Sequence, residues 1–94
     1  MELRKKVGQV SPEEVREIQT LYERKNGLSE LAKIVTTDNV DLYEKLIKDM
    51  GETNIKFQTW WDEKAKLYGW ESHSKGNWEI NFQTGEITLI INEQ

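Results

Sequence analysis

No cysteine occurs among the 94 residues of this chain, so disulfides, a zinc ribbon and a thiol nucleophile are excluded at once. A reducing, cytoplasmic setting is the matching expectation. Histidine occurs once, as His73, and proline once, as Pro12. A lone histidine beside Ser72 and Ser74, with no acidic partner and no nucleophile elbow, reads as a solvated loop residue. Asp62 and Glu63 are adjacent and so point in different directions. No HExxH, DxD or EF-hand spacing occurs, and the glycines form no phosphate-binding loop. The expectation is a protein with no catalytic residue, no metal and no cofactor. No apolar segment approaches the length of a membrane span, and MELRKKVGQV lacks the apolar centre of a signal peptide. No run of Lys or Arg exceeds the three residues Arg4-Lys5-Lys6, and the net charge of −4 argues against nucleic acid and anionic membranes as partners.

What the chain does contain is aromatic weight. Only 36% of residues are hydrophobic, but four Trp, three Tyr and two Phe bring large area per side chain. One domain spanning 1–94 is expected, with residues 1–10 as an edge strand or flexible lead-in, 11–68 helical and 78–91 a β-hairpin. Ser11-Pro12-Glu13-Glu14 is a helix start: a cap, a proline at the first helical position, and a glutamate completing a capping box. Val15, Ile18, Leu21 and Tyr22 supply the apolar stripe, and Asn26-Gly27 is read as the stop. Leu28, Leu31, Ile34 and Val35 predict a short second helix, and Thr36 to Asn39 a breaker with Thr37 or Asp38 capping the next helix.

From Tyr43 to Tyr68 the residues Tyr43, Leu46, Ile47, Met50, Phe57, Trp61, Ala65 and Tyr68 hold one 3.6-residue stripe and read as core. A single helix would run roughly 39 Å, longer than the roughly 32 Å across a compact domain of this size. A break at Gly51, with Thr53 or Asn54 as the new cap, is therefore preferred to a continuous helix whose overhang packs on a partner. Trp78, Ile80 and Phe82 alternate with polar residues before Thr84-Gly85. A two-residue turn there sets Phe82 opposite Ile87, Ile80 opposite Leu89 and Trp78 opposite Ile91. Ile90 then faces outward, toward a strand from Lys6–Val10 or from another chain. The fold class expected is α+β: three to four helices followed by a C-terminal antiparallel hairpin.

Leu42, Trp60 and Leu67 flank the central stripe. Either the hairpin covers that flank, or it is a second apolar face for a peptide or protein partner. Trp70, just after Gly69, is placed to clamp the hairpin or a ligand peptide.

Four segments, KVGQVSPEE, YERKNGLSEL, LYEKLIKDMGETNIKFQTWWDEKAKLYGW and NWEINFQTGEITL, together cover nearly the whole chain. Their order, and the WWDE, YGW, NWEI and TGEI elements, resemble the small accessory proteins encoded beside CXXX-repeat peptides and their radical SAM maturases. The resemblance implies a non-catalytic role in maturing a ribosomal peptide, through binding of the precursor peptide or the modifying enzyme. It carries over no catalytic residue. Two alternatives stay open from the residues themselves: a helical homo-oligomeric scaffold, and a regulator with a wing-like hairpin.

Overall fold

The computed structural model describes residues 2–35 and 38–92. In chain order these form strand β1 (Glu2–Gln9), helix α1 (Pro12–Ala32), helix α2 (Val40–Tyr68), strand β2 (Gly76–Ile80) and strand β3 (Glu86–Asn92). Two helices stand where three to four were expected, and the sheet has three strands drawn from both ends of the chain. The chain divides into two compact units, Met1–Glu17 with Glu63–Gln94, and Ile18–Asp62.

The predicted capping box starts α1. The Ser11 amide donates to the Glu14 carboxylate at 2.9 Å, and the Glu14 amide donates to the Ser11 hydroxyl at 3.2 Å. Asn26-Gly27 does not end this helix. Gly27 keeps a negative φ, and no atom lies within 4 Å of where a Cβ would stand. A surface glycine of this kind costs about 1 kcal/mol of helix propensity, which the apolar stripe resuming at Leu28 outweighs. The helix ends instead beyond Ala32, where the Lys33 and Ile34 amides turn back to Glu30 and Leu31 in i→i+3 bonds.

The same reasoning corrects the break at Gly51. That residue also keeps a negative φ, with open space at its Cβ position, so α2 runs through it without cap geometry. Neither Thr53 nor Asn54 starts a new helix; both lie inside α2. The cap of α2 is Asn39, whose side-chain oxygen accepts the Leu42 amide at 3.2 Å while its carbonyl accepts that of Tyr43 at 3.0 Å. Of the two residues expected to cap it, Asp38 precedes this position and Thr37, with Thr36, lies outside the described residues.

At its other end α2 stops at Gly69, which holds φ +63°, while the Trp70 amide reaches the Ala65 carbonyl at 3.2 Å. This is the Schellman arrangement, and glycine enters it without the steric cost a Cβ would add. Gly69→Ala is expected to lower stability by about 1 kcal/mol, read from a urea denaturation midpoint; an unchanged midpoint contradicts this account of the helix end.

The sheet has the order β1-β3-β2, and both pairings are antiparallel. Between β2 and β3 the register is Ile80↔Ile87, Trp78↔Leu89 and Gly76↔Ile91, two residues displaced from the expected pairing. The cause is Asn81. Its side-chain oxygen accepts the amides of Gln83 and Thr84 at 2.8 and 3.2 Å, and its carbonyl accepts that of Gly85 at 2.7 Å. Five residues, Asn81 to Gly85, therefore make the turn, and Phe82 leaves the strand for the loop. A displacement of two preserves the faces, so Trp78 and Ile80 still share a side with Ile87 and Leu89.

Strand β1 is longer than the Lys6–Val10 segment anticipated, and it completes β3 on the other side. A bulge between Lys6 and Gly8 lets Lys5 face Leu89 and Gly8 face Ile87. In this unit Val10, Val15, Trp70, Ile87, Leu89 and Ile90 are buried. Ile90 sits on the opposite face from Ile87 and Leu89, paired with Arg4 and Asn77. An ion pair between Arg4 and Glu79 at 3.1 Å joins the two outer strands.

In the Ile18–Asp62 unit the most buried line of α2 is Leu46, Thr53 and Trp60, spaced at i, i+7 and i+14, with Trp61 beside it. Thr53 is the polar member. Its hydroxyl accepts the Arg24 Nε–H at 3.2 Å, and Arg24 also reaches Asp49 at 3.8 Å, so the polar group is buried with its hydrogen bond made. Tyr43, Ile47 and Tyr68, read from the sequence as core, are exposed.

Candidate functional site

Two arrangements of side chains stand out, one in each unit. In the sheet-containing unit, Gly69 directs Trp70 onto β1. A Cβ on Gly8 would meet the Trp70 ring, with Cδ1 only 2.6 Å away, so the indole occupies the space a side chain would need. Tyr68 stacks on Trp70 at a centroid distance of 6.0 Å and an interplanar angle of 18°; Trp78 meets it edge-on at 5.8 Å and 72°. The following segment is fastened by the Trp78 indole N–H donating to the Glu71 carbonyl at 2.9 Å, and by the Lys5–Glu71 ion pair at 2.8 Å. His73 takes part in that fastening. Its Nδ1 accepts the Lys75 amide and its carbonyl accepts the Gly76 amide, both at 3.0 Å.

Beside this aromatic group lies a polar one. The Glu14 carboxylate accepts the Tyr68 hydroxyl at 2.8 Å to each oxygen and pairs with Lys64 at 3.3 Å, in addition to its capping bonds with Ser11. Burial by itself would raise the Glu14 carboxyl. The bonds from the Ser11 amide, Tyr68, the Ser11 hydroxyl and Lys64 outweigh it and hold the pKa at about 2, against 4.5 ordinarily. The hydrogen bond to Glu14 raises the Tyr68 hydroxyl, with desolvation and the Glu14 charge adding to it. A carboxylate this acidic is a weak proton acceptor near neutrality, and the tyrosine a correspondingly weak donor. The cluster therefore ties the start of α1 to the end of α2 rather than moving protons.

In the Ile18–Asp62 unit the notable feature is apolar surface. Val40, Tyr43 and Ile47, at i, i+3 and i+7 of α2, form an exposed stripe, and Leu31, Ile34 and Ile55 are exposed as well. Lys25 holds its ammonium 4.7 Å from the Phe57 ring centroid. Next to it a crevice of about 60 Å³ is lined by Lys25, Leu28, Ser29, Met50 and Asn54.

The residues singled out from the sequence divide by exposure. Trp60 is 5% exposed, its ring edge-on to Trp61 at 5.1 Å, and Trp70 is 7% exposed within the aromatic group above. Leu42 is 44% and Leu67 68% exposed. Leu42 and Trp60 lie roughly 27 Å apart along α2 at about 1.5 Å per residue, so they do not form one contact surface. Sequence reasoning missed the Glu14–Lys64–Tyr68 cluster, whose members are up to 54 positions apart. It also missed the exposure of Tyr43 and Ile47.

Among the described residues no group of three or more His, Asp or Glu is placed to hold a metal ion, and no helix is long and apolar enough to cross a membrane. No family model matches the chain, and no curated protein or solved structure matches it either.

Proposed function

We propose that this chain is a non-catalytic, cytoplasmic accessory protein in the modification of a ribosomally synthesised peptide, binding the precursor peptide or its maturase. The observation that carries the binding part is the exposed Val40/Tyr43/Ile47 stripe on α2. Apolar surface turned to water by a chain with few apolar residues is a cost that a partner relieves. Leu42 and Leu67 are exposed apolar residues as well, whereas Trp60 and Trp70 are buried. The peptide-modification setting is supported by the resemblance of the WWDE, YGW, NWEI and TGEI elements. The ionised Glu14 cluster supports a role without acid–base chemistry.

Co-expression of the tagged chain with a CXXX-repeat precursor peptide and its radical SAM maturase tests this reading. The expected result is a complex with one or both that survives gel filtration at micromolar concentration. Elution of the chain apart from both partners at that concentration overturns it.

A further inference from the structure

The exposed stripe of α2 and two of the crevice residues, Met50 and Asn54, share one side of the helix. Ile47 follows Leu46 by one residue and so is turned about 100° from the buried Leu46/Thr53/Trp60 line. Along Ile47's side of the helix come Tyr43, Met50, Gly51 and Asn54 at helical spacing. None of these five bears a charge, and nothing lies within 4 Å of a Cβ at Gly51. The opposite wall is α1, through Lys25, Leu28 and Ser29, which meet Met50 and Asn54 at the crevice. Lys25 makes no ion pair among the described residues, and its ammonium stands over Phe57. The crevice is thus lined by three residues whose side chains can donate hydrogen bonds, Lys25, Ser29 and Asn54, together with apolar Leu28 and Met50. Its volume of about 60 Å³ equals roughly two water molecules at about 30 Å³ each, enough for a carboxylate on a short apolar stem.

We propose that this side of α2 and the crevice together form a groove that receives an amphipathic helix of a partner peptide, its apolar stripe lying on Tyr43, Ile47 and Met50 and one glutamate side chain entering the crevice at Lys25, Ser29 and Asn54. This rests on the peptide-binding reading above and names the binding mode and the chemistry recognised. A helix suits the groove because the wall residues repeat at helical spacing and open Gly51 lets a second backbone approach closely. Charge complementarity with Lys25, the one charged residue of the crevice lining, selects an acidic side chain for that position.

The probes are two synthetic peptides of about 18 residues, acetylated and amidated to remove terminal charge. Both carry a leucine stripe; one has glutamate at the stripe's midpoint, the other lysine. Fluorescence anisotropy with the full chain is expected to show the glutamate peptide binding at least about tenfold more tightly. Lys25→Met should remove the difference and Lys25→Glu should reverse it. Ile47→Asp, at an exposed position, should weaken both peptides while leaving the circular dichroism spectrum unchanged. Equal affinities, no binding of either peptide, or binding indifferent to both positions overturns the proposal. So does a dimer in light scattering that Ile47→Asp dissolves, which would make a second copy the occupant. If the precursor or maturase is captured equally well by Ile47→Asp, the accessory reading stands and this groove is not its site.

Discussion

Replacing Glu14 by glutamine is expected to lower the stability of the sheet-containing unit by about 2 kcal/mol. Glutamine keeps the length and one acceptor oxygen, so a capping contact with Ser11 survives. What is lost is the charge that faces Lys64 at 3.3 Å, and with it the strength of the bonds from Tyr68 at 2.8 Å. The wild-type side chains of both Glu14 and Lys64 are mostly buried, 12% and 18% exposed, so solvent screens this pair less than the surface pairs of the sheet.

The folded pKa of Glu14, about 2, lies below its unfolded value of 4.5. A depressed carboxyl contributes stability that is present in full above the unfolded pKa and is lost as pH falls through the folded one. The wild-type chain should therefore lose this contribution between about pH 4.5 and 2, whereas Glu14→Gln should lack that part of the acid dependence. Urea denaturation at pH 7 and pH 3 checks both points. A gap between wild type and variant that fails to narrow at pH 3 would show that the charge of Glu14 is not what stabilises the unit.

Trp70→Ala should cost more, about 3–5 kcal/mol, the range for removing a large buried aromatic ring. The indole is 7% exposed, stacks on Tyr68, meets Trp78 edge-on and fills the space over Gly8. Alanine leaves a cavity that glycine at position 8 cannot fill from below. Against a total stability of about 5–15 kcal/mol for a domain, such a loss brings the unit close to unfolding. Hydrogen exchange should show it first in β1 and β2, the outer strands. Trp70→Phe keeps a ring between Tyr68 and Trp78 and should lose less than half as much. Equal stability of the alanine and phenylalanine variants would mean that the aromatic stack contributes little.

The parts of this fold that were legible in the sequence are the ones settled by residues close in the chain. The Ser11–Glu14 capping box spans four positions, and the alternation of Trp78 and Ile80 reports the pleat directly. Glycine was the recurrent source of error. The sequence displays Gly27, Gly51 and Gly69 alike, but only Gly69 takes positive φ and ends a helix. The difference lies in whether the apolar pattern resumes in phase beyond the glycine, as it does at Leu28 and at Phe57. The turn was misplaced because Asn81, a side chain that mimics a backbone turn, outcompeted Thr84-Gly85.

The candidate site was harder to read, for a physical reason. Which side of α2 is buried depends on where α1 crosses it, and the anchor is Thr53, a polar residue that apolar periodicity counts as surface. Once Arg24 satisfies that hydroxyl, the buried line shifts to Leu46/Thr53/Trp60, and Tyr43 and Ile47 turn outward. Trp60 flanks the stripe on the helical wheel and Trp70 follows Gly69, and the structure places both inside. The exposed residues singled out beside them, Leu42 and Leu67, owe nothing to aromaticity.

The strand order carries a kinetic consequence. β3 is the central strand, yet it is the last element of the chain, and its partner β1 is the first, with Glu2 opposite Asn92. Completing the sheet therefore means closing a loop that contains every other element, an entropic cost that grows with the logarithm of loop length. Pairings of such large sequence separation slow folding. Residues 18–62 form a contiguous stretch whose contacts are available before β3 emerges during synthesis. The sheet must wait for the final strand, so during that interval β1, with its Arg4-Lys5-Lys6 run, stays unpaired, and those charges disfavour association with other nascent strands.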